Sequence, residues 1–189
     1  MKILKYFALL PALLTQYVFL TLLFSFFRGY PIFTTVFNKS IPNMLLFLII
    51  FFVAAFIGTI VTFVLSIVSK WDAKTTAFIA MMIKILQIPA YIAMLFMGII
   101  GAVTIFLIAL PPIIIIINLI TIFMTGIIGT AACIAGCREK KLKAEEALAF
   151  SIGQFFFCID VVFSIIVYVK IRKTEKLLNY SINQSSLTI

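Results

Sequence analysis

One carboxylate, Asp160, interrupts the apolar run from Phe155 to Val169. Placing a charge at the centre of a bilayer costs about 2.5–3.5 kcal/mol even on insertion scales. Such a residue therefore faces a bundle interior or a watery cavity, and it pairs with another charge or carries a proton or cation. Ser164 and Tyr168 follow Asp160 at i+4 and i+8, so a helix would set all three on one face. A second polar stripe is formed by Lys84, Gln87 and Tyr91 at i, i+3 and i+7, and Lys84 is the natural counter-charge for Asp160. The competing reading of that stripe is an interfacial helix face, with the lysine toward headgroups and Tyr91 as an aromatic anchor.

The residue inventory excludes most other chemistry. There is no His in the 189 residues, which removes the commonest zinc and haem ligand and the commonest general base. No phosphate-cradling glycine loop, nucleophile elbow or H-E-x-x-H helix occurs, and no span carries paired acids for a two-metal site. Neither a catalytic residue, a metal site nor a cofactor is expected. Cys133 and Cys137 lie four apart beside Gly129 and Gly136, and with Cys158 they make an odd count, which argues against a disulfide framework and for small packing residues.

Composition defines the surroundings in which these residues act. The chain is 65% hydrophobic and 11% charged, with a mean hydropathy of +1.28, far from the roughly quarter-charged soluble average. The formal charge of +9 comes from basic residues that flank apolar blocks: Lys2 and Lys5, Lys70 and Lys74, Arg138 to Lys143, Lys170 to Lys176. Charge placed there sets membrane orientation and attracts anionic headgroups. It does not form the aromatic-lined basic groove of a nucleic-acid binder.

A bilayer crossing takes about 20 apolar residues. The runs Tyr6–Phe27, Met44–Ser69, Ala90–Leu110 and Ile113–Gly136 qualify, and Leu148–Val169 makes a fifth. The first lacks a small-residue cleavage site and reads as a retained span. Gly29, Pro31, Asn38 and Pro42 make the segment after it turn-rich. For Asp72–Ile88 the reading adopted is an interfacial amphipathic helix ended by Pro89. The alternative is a span beginning at Thr75 that carries Lys84 near the midplane. Pro111-Pro112 predicts a tight turn between two apolar runs. Arg138 to Glu146 reads as a solvated linker helix with Lys141 and Glu145 paired at i, i+4.

In the fourth block Asn118, Thr121, Thr125, Gly129, Ala132 and Gly136 recur at three-four spacing, a pattern for close helix packing with interhelical hydrogen bonds. Gly58, Thr62, Ser66 and Ser69 repeat the theme in the second block, and Tyr17, Thr21 and Ser25 in the first. The fold expected is an all-α polytopic bundle of about five spans plus an interfacial amphipathic helix, with residues 1–176 as one membrane domain and 177–189 as a polar tail. Five spans with the N-terminus inside leave the basic tail outside, against the positive-inside rule.

At Lys70-Trp71-Asp72-Ala73-Lys74, at Met82-Ile83-Lys84-Ile85-Leu86-Gln87-Ile88-Pro89-Ala90-Tyr91 and at Gln154-Phe155-Phe156-Phe157-Cys158-Ile159-Asp160-Val161, the chain resembles an uncharacterised family of small multispanning membrane proteins of low-GC Gram-positive bacteria. The resemblance implies a bacterial cytoplasmic membrane and no particular activity. Two function classes remain. One is a non-enzymatic accessory, self-protection or assembly component working through helix packing, with lipid headgroups and a second copy or a membrane protein as partners. The other is a small transporter or ion-coupled permease using Asp160 with Lys84. A sealed, paired Asp160 favours the first, and a polar cavity reaching it favours the second.

Overall fold

The computed structural model describes residues 10–28, 34–38, 40–104, 107–156 and 159–187. Lys2, Lys5, the start of the first apolar block, Gly29, Pro31 and Cys158 lie outside them. Among the described residues all regular structure is helical: α1 (Leu10–Arg28), α2 (Ile41–Val68), α3 (Ala73–Val103), α4 (Leu110–Arg138), α5 (Ala144–Gly153) and α6 (Ile159–Leu187). Three of these, α2, α3 and α4, are long and apolar enough to cross a membrane.

The chain divides into two compact units, one of Met1–Thr62 and Leu86–Met124, the other of Phe63–Ile85 and Thr125–Ile189. In the first, the buried core is Phe19 and Leu20 of α1, Ala90 and Met94 of α3, and Leu110, Ile114 and Ile117 of α4. In the second, α6 buries Asp160, Ser164, Val167 and Ile171, a three-four seam along one helix face.

Three expectations need correction. Asp72–Ile88 is not a separate interfacial helix, because α3 runs unbroken for 31 residues with Pro89 inside it. Its buried seam of Ala73, Thr76, Ala80, Ile83, Gln87, Ala90 and Met94 continues past the proline, whose ring lies on the exposed side of the helix. Packing on one side thus outweighs the hydrogen bond that proline forfeits on the other. The fifth apolar run, Leu148–Val169, is not one helix. It breaks between α5 and α6, which fold into a hairpin with Phe150 and Phe163 rings 5.8 Å apart and Lys170 bonded to Glu146 at 2.6 Å. Nor is Arg138–Glu146 one linker helix: α4 ends at Arg138 and α5 starts at Ala144. Lys141 consequently pairs with Glu139, Asp72 and Glu175 and not with Glu145.

The prolines Pro111 and Pro112 occupy the first turn of α4, where a missing N–H costs nothing. The tight turn expected at these prolines is therefore not there: they are helical, and the turn comes earlier, where the Leu107 N–H donates to the Thr104 carbonyl at 3.0 Å. The polar stretch from residue 177 continues α6 as helix to Leu187.

Candidate functional site

In the second unit the polar residues of α3 and α6 converge. Lys84 stands about 16 Å along α3 from Ala73 at 1.5 Å per residue, and its side chain is 0% exposed, with that of Asp160 at 1%. Lys84 Nζ lies 3.2 Å from Asp160 Oδ2. It donates to Gln154 Oε1 at 2.6 Å, to the Gln154 carbonyl at 3.3 Å and, at the longest reach, to the Asp160 carbonyl at 3.5 Å. Ser164 Oγ, one turn after Asp160, lies 2.7 Å from Gln154 Oε1 and 2.9 Å from the Asp160 carbonyl. Its single proton serves one of these acceptors at a time.

Each helix has a local reason to place its member here. Asp160 falls in the first turn of α6, where the helix dipole favours a negative charge. Gln154 caps α5 at the hairpin turn. It fits because α4 presents Gly129 to it: a Cβ on Gly129 would stand 2.5 Å from Gln154 Oε1. Cys133, one turn further along α4, is fully buried.

The hairpin turn exposes backbone carbonyls in an apolar setting, where each would be costly if unpaired. A three-proton ammonium satisfies the Gln154 carbonyl there and balances a carboxylate at the same time. Asp160 Oδ2 accepts no aligned hydrogen bond, so its contact with Lys84 is ionic. Among the described residues no three His, Cys, Asp or Glu side chains gather.

The remaining expected site residues are dispersed. Tyr168 packs its ring on Phe78 at 5.6 Å. Gln87, one turn after Lys84, belongs to the first unit and donates from Nε2 to the Ala12 carbonyl of α1 at 3.1 Å. Tyr91 is half-buried in that unit. Asn118 makes the interhelical bond expected of the α4 stripe, accepting from Gln16 Nε2 at 3.1 Å. Thr121 instead bonds its own helix at the Ile117 carbonyl, 2.9 Å away. Thr125, Gly129, Ala132 and Gly136 are all buried, and Gly136 meets Leu142 and Ile171. The hydroxyls of Thr59, Thr62 and Ser66 likewise bond back into α2.

Gln154 and Gln16 escaped notice as site residues. Gly153-Gln154, the one glycine-amide pair inside a long apolar run, was the available signal for the former.

A charged girdle closes the other end of this unit. Asp72 caps α3, accepting from the Thr75 N–H at 2.8 Å, and Glu139 accepts from the Ala73 N–H at 2.8 Å. Arg138 donates to the Trp71 carbonyl at 2.6 Å, and Lys74 meets Glu175 at 3.3 Å. Burial raises the Asp72 pKa, but the Thr75 hydrogen bonds and the charges of Lys141 and Lys74 outweigh it, so the carboxyl is held below its ordinary value. At Lys141 burial lowers the pKa, and the Glu139 hydrogen bond with the charges of Glu139, Glu175 and Asp72 carries it above the ordinary value.

Three of the described helices are long and apolar enough to cross a membrane, which is compatible with a helical membrane protein. No protein-family model, curated protein or solved structure matches the chain.

Proposed function

We propose that the chain is a non-enzymatic integral protein of the bacterial cytoplasmic membrane, acting through helix packing as an accessory, self-protection or assembly component. In this reading α1 to α4 are four spans, and α5 with the start of α6 is a re-entrant hairpin in place of a fifth. Length supports it: α5 has 10 residues, and α6 reaches Lys170 after 11. Each arm is therefore about 15 Å, half a hydrocarbon core. Charge supports it as well. With the N-terminus inside, twelve Lys and Arg, including the tail residues Lys170, Arg172, Lys173 and Lys176, fall on the cytoplasmic side, Arg28 and Lys39 fall outside, and Lys84 is at depth.

The observation that carries the functional reading is the sealed state of Lys84 and Asp160. The donors of Lys84 are spent on the hairpin, leaving none for a passing substrate. The unaligned Asp160 Oδ2 favours a second reading, a small transporter or ion-coupled permease in which Asp160 takes a cation or proton against Lys84. Single cysteines at 140, 160 and 176, on a background without native cysteines, separate the two. The assembly reading expects 140 and 176 to label from the same side and 160 to be inert. Opposite sides for 140 and 176 would restore five spans, and a reactive 160 would install the transport reading.

A further inference from the structure

The first unit holds an apolar cavity of about 260 Å³ between α1, α2 and the start of α4, with walls that include Phe19, Leu22, Leu23, Met44 and Leu48. Phe26 and Phe27 from the last turn of α1, Ile41 from the first turn of α2 and Leu110 from the first turn of α4 are also in its walls. Positive features adjoin these residues in the chain. Arg28 is the next residue of α1 and is exposed. Ile41 and Leu110 are the first residues of α2 and α4, and helix N-termini carry partial positive charge. The six acidic residues, Asp72, Glu139, Glu145, Glu146, Asp160 and Glu175, all belong to the other unit, so no carboxylate of this unit competes for Arg28.

We propose that this cavity is a binding site for an anionic phospholipid, with one acyl chain in the apolar body and the phosphate against Arg28. Within a bilayer an apolar wall does not by itself prefer one tail over another. Selectivity must come from the headgroup, and the chain contributes only shape. This goes beyond the assembly reading and depends on membrane residence alone, which sedimentation with the membrane fraction checks separately.

The test is retention of lipid by the full chain taken from bilayers holding equal parts phosphatidylglycerol and phosphatidylcholine, followed by native mass spectrometry in mild detergent. The expected result is enrichment of tightly held phosphatidylglycerol by about fivefold, the worth of one basic residue at a lipid surface. Arg28→Gln reduces it to parity, and Lys173→Gln leaves it unchanged. Leu48→Trp, which fills the cavity, releases the lipid; where that variant fails to fold, Met44→Phe replaces it. Parity in the unmodified chain, or enrichment that survives Arg28→Gln, overturns the proposal. Displacement of the lipid by inorganic phosphate alone would reduce the site to a phosphate contact and overturn its acyl component.

Discussion

Lys84 Nζ lies 3.2 Å from Asp160 Oδ2 and at 3.3 Å also donates to the carbonyl of Gln154, a residue 70 positions along the chain. One ammonium thus balances a charge and closes the backbone of a turn. The two duties have separable costs. Lys84→Met or Asp160→Asn alone should destabilise the fold by about 3–5 kcal/mol, the cost of breaking a buried pair. The double variant Lys84→Met/Asp160→Leu should recover only part of that loss. The Gln154 carbonyl loses its Lys84 donor, at about 1–3 kcal/mol, while Gln154 Oε1 keeps Ser164. Chemical unfolding in micelles, compared across the four proteins, measures both terms, and full recovery in the double variant would refute the duty to the turn.

Close approach of α4 to the hairpin makes a second prediction. Gly129→Ala puts a methyl 2.5 Å from Gln154 Oε1 and should cost about 1–3 kcal/mol by overpacking. Gly98→Ala in α3 has nothing within 4 Å of the new carbon and should be neutral or stabilising by up to about 1 kcal/mol. Thermal unfolding of the two variants side by side checks the contrast.

Lys70 and Lys140 end α2 and α4 with φ of 48° and 57°. In both cases the next residue's N–H reaches back to a carbonyl five positions earlier, Trp71 to Ser66 at 3.1 Å and Lys141 to Gly136 at 2.8 Å. Glycine is the usual occupant of such a position, and another L-residue pays about 1–2 kcal/mol there. Lys70→Gly and Lys140→Gly should therefore each raise stability, by about 0.5–1 kcal/mol after the entropy of glycine is deducted. A lower melting temperature for both would contradict this account.

Acid should act at the girdle. Asp72 has a folded pKa below its ordinary 3.8, so its stabilising contribution is complete above that value and is lost as pH falls through the folded pKa. Lys141 is raised above 10.5, so its contribution is complete below that value and disappears as pH climbs through the folded pKa. Glu146, held low by the Lys170 hydrogen bond, adds to the acid side. Asp72→Asn should flatten the acid limb of a stability-against-pH curve and leave the alkaline limb in place. The effect stays under about 1 kcal/mol because the side chain is half exposed.

The helices most legible in the sequence are those whose extent follows the apolar runs. α2 and α4 contain the apolar runs read from the sequence, and the α4 stripe from Thr121 to Gly136 is buried as its spacing requires. Sequence reasoning failed where two effects compete over the same residues. Pro89 argued for a helix end, yet the seam from Ile83 through Gln87 and Ala90 to Met94 is a tertiary quantity that no local rule contains. Leu148–Val169 is long enough to span, and averaged hydropathy cannot distinguish one long helix from two short arms. What decides is a donor for the turn, and that donor is Lys84, far away in sequence. The pairing of Lys84 with Asp160 is only one of the alternatives open in the sequence, since the reading adopted sets Lys84 toward headgroups. That Gln154 sits between them is not legible there.

The segregation of carboxylates into one unit gives the molecule an internal reference. Met1–Thr62 with Leu86–Met124 contains no Asp, Glu, His or Cys, so none of its side chains changes charge between roughly pH 3 and 9. Once intrinsic exchange rates are corrected for, amide protection in that half should hold steady through an acid titration while the other half responds. Acidification becomes a way to perturb one half of a small membrane protein and use the remainder as its own calibrant.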